Sequence, residues 1–245
     1  MRDQDDWHAL TKFTPARLAL GRAGNGLPTF RILEFELAHA KARDAVLRPF
    51  HPETVAAALA RPGTTLLTTK ATDRETYLMN PAAGRTLSNA SRANLRRGTY
   101  DAALIIADGL SSTAIDLHGA ALAHAIFKAL PELNWAPVSI VSGGRVAIGD
   151  DIASALGAQI AVVLIGERPG LSAADSVGIY LTYAPKPGVS ANADRNCISN
   201  VRPGGLPLAA AADRLAWLIR QARHLRLSGV ALKEDAALVP SIDAD

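Results

Sequence analysis

Gly166-Glu167-Arg168 places a carboxylate and a guanidinium directly after an unbroken apolar run, Ile160-Ala-Val-Val-Leu-Ile165, and Pro169-Gly170 turns the backbone behind them. A short apolar run rich in β-branched residues is what a strand buried on both faces of a parallel sheet requires. In open α/β sheets, ligands bind beyond the carboxyl ends of the strands. Glu167 therefore stands where it can accept hydrogen bonds from a ligand; the competing reading is a solvated ion pair between Glu167 and Arg168. Two similar loops precede it. Asp108-Gly109 follows Asp101-Ala-Ala-Leu-Ile-Ile-Ala107, and Gly144-Arg145-Val146 follows Val138-Ser-Ile-Val141. Loops that end parallel strands should line one edge of one sheet, and this coincidence points to a ligand edge more strongly than any single loop. The lone cysteine, Cys197, falls in the polar stretch Ala193–Arg202, read as an irregular covering loop that holds a small buried thiol.

Other constellations fail on their spacing. The six histidines, at 8, 39, 51, 118, 124 and 224, show no metal-ligand clustering. Gly144 to Gly149 has the glycine spacing of a phosphate loop, but Asp150 stands where lysine is required. Asp116-Leu-His118 begins like the Asp-x-His-x-x-Gly signature that ligates cobalt, yet residue 121 is alanine. Gly24-Asn25-Gly26 lacks the third glycine of a dinucleotide fingerprint and has Pro28 and Thr29 instead. There is no Gly-x-Ser-x-Gly elbow. A self-contained active site is not visible, and a chain that covers a ligand held mainly by another subunit fits better.

These loops need elements to hold them. From residue 100 to 184 the pattern is strand, helix, strand, helix, strand and a further strand, Ile179–Tyr183. The first helix starts at Ser111 or Ser112 and runs to about Leu130; the second runs from Asp150 to Leu156 with Gly157 as its cap. That alternation predicts a Rossmann-like, mainly parallel sheet flanked by helices. Residues 1–97 read as a mainly helical N-terminal region that docks on a partner, and 98–245 as the α/β domain. Within the first, Trp7, Leu10 and Phe13 have helical spacing. Residues 14–26 form a glycine-arginine loop, and Phe30, Leu33, Leu37, Ala40 and Ala45 share one helical face. A second short helix spans 53–60, a strand Thr64–Thr69, and a polar helix 85–97. Leu206 to Leu227 is a last amphipathic helix.

Composition limits the class. In 245 residues, 49% are hydrophobic and only 5% aromatic, so the core must be built mainly of Ala, Leu, Ile and Val. A net charge of +3, without basic tracts interleaved with aromatics, argues against nucleic acid. No apolar run approaches the ~20 residues that span a bilayer, and the polar start Met-Arg-Asp-Gln-Asp-Asp is not a secretion signal. One cysteine allows no internal disulfide and suits a reducing, cytoplasmic location.

In order along the chain stand Thr14-Pro-Ala-Arg17 with Gly21-Arg-Ala-Gly24, Asp108-Gly-Leu-Ser111, Gly144-Arg-Val146, Gly166-Glu-Arg-Pro-Gly-Leu171 and Arg195-Asn-Cys-Ile-Ser-Asn200. Together these blocks resemble the small (light) subunit of adenosylcobalamin-dependent ethanolamine ammonia-lyase, from about residue 7 to 233. Two departures are Ala38, where relatives often have Asp, and Gly143, where they carry a larger side chain. The resemblance implies a Rossmann-like subunit that closes over adenosylcobalamin against a TIM-barrel large subunit, in a dodecamer of six large and six small subunits. It implies radical chemistry in the large subunit. Cobalt–carbon homolysis leads to hydrogen abstraction from ethanolamine, migration of the amino group, and release of acetaldehyde and ammonia. Carried over residue by residue, the cofactor contacts fall on Val146, Glu167 and Cys197, with no catalytic residue and no metal ligand in this chain. Some relatives carry a long N-terminal extension that directs them to a bacterial microcompartment; nothing comparable is visible here. Two alternatives remain, a stand-alone nucleotide-binding enzyme using the same edge and a non-catalytic cobalamin-binding scaffold.

Overall fold

The computed structural model describes residues 9–14, 18, 20–21 and 25–232. Trp7 and both arginines of the 14–26 loop, Arg17 and Arg22, lie outside them.

The chain first forms two helices, α1 (Thr29–Leu47) and α2 (Pro52–Leu59), broken apart by Pro49 and started again by Pro52 in the first helical turn, where its missing N–H costs nothing. Strand β1 (Thr65–Thr68) and a short helix α3 (Arg74–Met79) follow, the latter capped by the Asp73 carboxylate, which accepts from Thr76 N at 2.7 Å. Residues 85–97 are not one polar helix. Lys70 N donates to Thr86 O and Ser88 N to Thr68 O, so Thr86–Ser88 continue alongside β1, and only Asn89–Ala93 (α4) is helical, capped by Ser88. Pairing with β1 overrides the local helical pattern there.

The central elements follow the apolar pattern closely. They are β2 (Tyr100–Ala107), α5 (Ser112–Ala129), β3 (Ser139–Ser142), α6 (Ile148–Leu156) and β4 (Ala158–Gly166). Ser111 caps α5, accepting from Ala114 N at 3.2 Å, and Gly157 ends α6 in the left-handed conformation. In β4 only Gln159 is exposed, as a strand covered on both faces demands. Then come β5 (Val177–Tyr183), β6 (Arg195–Val201) and α7 (Leu208–Leu225).

The six strands form one sheet in the order β1-β3-β2-β4-β5-β6. β1, β3, β2 and β4 run parallel, while β5 is antiparallel to β4 and β6 to β5. The sheet is thus mixed. The helical crossovers α5 and α6 return the chain in the same direction, and the links after β4 and β5, which hold no α-helix, reverse it. β1, from the N-terminal region, is one edge of this sheet. α2, α5 and α7 cover one face, packing Val55, Ile115, Leu122, Ile126, Leu215 and Ile219 against Leu104, Ile106 and Ile140. α6 covers the other, packing Ile148, Ile152 and Leu156 against Ile105, Val163 and Ile165. The core is Ala, Leu, Ile and Val, with Tyr77 its one large buried aromatic among the described residues.

α1 departs from its expected role. Of the face that includes Phe30, Leu33, Leu37, Ala40 and Ala45, only Ala45 is buried; Phe30, Leu33 and Leu37 are 55%, 58% and 57% exposed. Leu10 and Phe13 are exposed as well. No helix among the described residues is long and apolar enough to cross a membrane.

Candidate functional site

Ala107 at the end of β2 sits beside Val141 of β3 and Ile165 of β4, so the loops that follow these strands meet on one edge. At the first meeting point Asp108 Oδ1 accepts from Gly143 N at 2.9 Å and Gly144 N at 3.1 Å. Arg74 Nη1 lies 3.5 Å from Asp108 Oδ2 and donates to Gly109 O at 2.8 Å. Burial is the main influence on Asp108 and pushes its pKa up to about 6, against the opposing pull of Arg74 and the backbone N–H groups. Beside it a cavity of about 520 Å³ is lined by Leu47, Thr69, Asp73, Arg74 and Tyr77. Gly143 has φ +72, and a Cβ there would meet Thr69 Oγ1 at 2.9 Å, which accounts for glycine at this position.

This place has a second meaning. α5 leaves β2 toward one face and α6 leaves β3 toward the other, so the crevice between them is the switch point at which such folds cradle phosphate. Here the chain's own carboxylate occupies the backbone N–H groups. A nucleotide phosphate would have to displace Asp108, which weighs against a stand-alone nucleotide-binding enzyme.

The second gathering is across β4, β5 and β6. Glu167 follows β4 as expected and is half-buried. It makes no ion pair with Arg168 among the described residues; instead Glu167 Oε2 accepts from Asn200 N at 3.1 Å. That donor is turned toward it by an irregularity of the ladder. β6 carries one extra residue relative to β5 between Val177 and Ile179, opposite Gly178, and Asn200 lies at φ +57. A bulge that re-aims a backbone group, with a non-glycine residue in the left-handed region, is a feature typical of functional sites.

Cys197 is the correction to the sequence reading. It lies in strand β6, not in an irregular loop, and is exposed rather than buried. Asn is depleted in strands and β6 holds two, Asn196 and Asn200, which hides an outer strand with one face uncovered. On the covered face Ile198 packs opposite Ile179; on the other, Cys197 is in register with Tyr180, which in turn pairs with Val163 of β4. The Tyr180 phenol and the Cys197 thiol thus face each other across the ladder and influence each other's titration. Partial withdrawal of the sulfur from water raises the thiol pKa, with the nearby Glu167 charge adding to it and the Tyr180 donor opposing it. Tyr180 is likewise pushed up, first by burial, then by Cys197 and Glu167. Both groups therefore stay protonated near neutral pH.

Val146 sits in the turn before α6, where its carbonyl accepts from Gly149 N at 3.2 Å, and it packs with Tyr180 against the apolar cluster under α6. Val146 and Tyr180 thus share the apolar cluster under α6, and Tyr180 in turn neighbours Glu167 at Gly178 and faces Cys197 across the ladder. Tyr180 and Asn200 were not singled out from the sequence; the block Cys-Ile-Ser-Asn carried Asn200, but the bulge that gives it a purpose is not encoded in any spacing. Asp150, which occupies the lysine position of a phosphate loop, forms a buried ion pair with Arg195. His118 lies 3.4 Å from Asp175, not in a metal site, and no cluster of three metal-ligating side chains exists among the described residues.

The family model described as ethanolamine ammonia-lyase light chain matches residues 4–233. The chain is 49% identical over 251 residues to an ethanolamine ammonia-lyase small subunit of Ralstonia nicotianae, covering 98% of this chain and 92% of the relative. It is 48% identical over 243 residues to that of Azotobacter vinelandii, with 95% and 90% covered, and 47% identical over 242 residues to that of Pseudomonas syringae pv. tomato, with 95% and 84% covered.

Proposed function

The chain belongs to the family of ethanolamine ammonia-lyase light chains, the small subunits of that lyase, and from this premise we propose that it closes over adenosylcobalamin at the interface with a TIM-barrel large subunit, in an assembly of six large and six small subunits. When bound, the cofactor supplies the radical that converts ethanolamine to acetaldehyde and ammonia. This chain supplies position and enclosure.

The observation that carries the reading is that Glu167 and Cys197 gather beside Tyr180 on one uncovered strip of sheet, with Val146 packed against the same apolar cluster as Tyr180. The residues fit a corrin. The strip is shallow, because Gly178 has no side chain and its absent Cβ would lie 3.1 Å from Glu167 Oε1. The rim of a corrin carries neutral amides, and these need acceptors and donors without a field of charge. A single carboxylate, Glu167, can accept their N–H groups, while the phenol and the thiol remain neutral. The exposed apolar residues of α1 support a docking role for the N-terminal region.

Glu167→Gln tests this. It keeps the size and replaces one acceptor by a donor. Losing a charge-assisted hydrogen bond costs about 1.5–3 kcal/mol, or roughly ten- to a hundredfold in affinity. Titration of the assembled enzyme with adenosylcobalamin should show that loss, with assembly and ethanolamine affinity little changed. Equal cofactor affinities in wild type and variant would refute the contact.

A further inference from the structure

Glu167, just after β4, and Cys197, in β6, have no hydrogen bond between them among the described residues, yet each lies beside the same side chain. Cys197 stands directly across the β5–β6 ladder from Tyr180, on the same face of the sheet, with its thiol sensitive to the phenol. A Cβ on Gly178 would stand 3.1 Å from Glu167 Oε1 and 3.1 Å from Tyr180 Cε2, so the carboxylate and the tyrosine ring close over the same bare point of strand β5. Asn200 N then fixes the other oxygen of Glu167.

We propose that Tyr180 is a positioning residue of the cofactor-covering surface, setting the spacing between the Cys197 thiol and the Glu167 carboxylate through its hydroxyl and its ring edge. The inference rests on the cofactor reading above and adds a residue to it. A phenylalanine would fill the same volume and keep the packing against Val163. The hydroxyl is the group on this face that can donate to the Cys197 thiol, and the ring edge is what limits where Oε1 can lie. The missing side chain at Gly178 is the counterpart: any larger residue there would separate the two groups.

The test is Tyr180→Phe in the assembled complex, titrated with hydroxocobalamin and followed by absorbance, beside Glu167→Gln. A second readout is the alkylation rate of Cys197, the one cysteine of this chain, measured in the cofactor-free complex by mass spectrometry of its peptide. Tyr180→Phe should weaken hydroxocobalamin binding threefold to tenfold. It should also slow alkylation severalfold at pH 8, because the thiolate loses its hydrogen-bond donor. A ring that only fills space leaves both unchanged in Tyr180→Phe, and that result overturns the proposal while a weakened Glu167→Gln keeps the cofactor reading. Unchanged binding in both variants removes the cofactor reading itself. Should Tyr180→Phe fail to assemble, Gly178→Ala takes its place. Its methyl group must displace Glu167 Oε1 or the Tyr180 ring, so it should weaken hydroxocobalamin binding at least threefold, and unaltered affinity overturns the proposal.

Discussion

Asp108 directs one carboxylate oxygen at the N–H groups of Gly143 and Gly144 and has Arg74 beside the other. Burial nevertheless lifts its pKa from 3.8 to about 6. A group whose folded pKa lies above its unfolded value stabilises the fold fully below the unfolded pKa, and that contribution is lost as pH rises through the folded pKa. The chain should therefore gain stability from this carboxyl as pH falls from 7.5 toward 4, on the order of 2–3 kcal/mol across the whole window. Asp108→Asn is neutral throughout and keeps an acceptor for Gly143 and Gly144. It should flatten that part of the profile, which urea midpoints at pH 5 and pH 7.5 for both proteins would show; parallel profiles would mean that Asp108 titrates like an exposed carboxylate. At this scale the sequence was informative where a residue follows a buried strand. Val146 and Glu167 stand at strand ends because apolar runs stop just before them. Cys197 was misplaced because its strand is polar, and Tyr180 was hidden because alternation in a strand says which face a residue occupies but not what it touches there.

Among the elements, those with two covered faces were legible and those at the margins were not. β2, β4 and α5 follow from runs and caps that only one structure satisfies. β6 escaped because an outer strand with an open face needs few apolar residues, and the 85–97 segment because pairing with β1 outweighs a weak helical pattern. α1 shows the reverse. Its helix was readable, but its apolar face has no cover in this chain. If that face docks on the large subunit, Leu33→Asp with Leu37→Asp should change the stability of the small subunit by less than about 0.5 kcal/mol, since both side chains are already exposed. The same pair should weaken co-purification with the large subunit more than tenfold. Full recovery of the complex with the double variant would assign that face to another role.

At the scale of the molecule, the proposed reading makes this chain the supplier of half of a site. Glu167, Cys197 and Tyr180 face outward from one strip of sheet, the crevice at Asp108 is filled by the chain itself, and no metal-binding cluster exists among the described residues. The small subunit alone, with adenosylcobalamin and ethanolamine, should therefore release no ammonia, and an ammonia assay before and after adding the large subunit checks this. A stronger consequence follows from linkage. If the cofactor is enclosed between two subunits, each contributes part of its binding energy, and the factor by which assembly tightens the cofactor must equal the factor by which the cofactor tightens assembly. A ligand at a hundred times its dissociation constant that binds only the complex stabilises that complex by about 2.7 kcal/mol, or roughly a hundredfold in subunit affinity. The large–small dissociation constant, measured with and without saturating hydroxocobalamin, should fall by that order. Glu167→Gln should shrink the effect in proportion to its own loss of cofactor affinity, because both numbers report the same contact. A subunit affinity indifferent to cobalamin would place the cofactor wholly within the partner, and the strip around Tyr180 would then be part of the protein–protein contact instead.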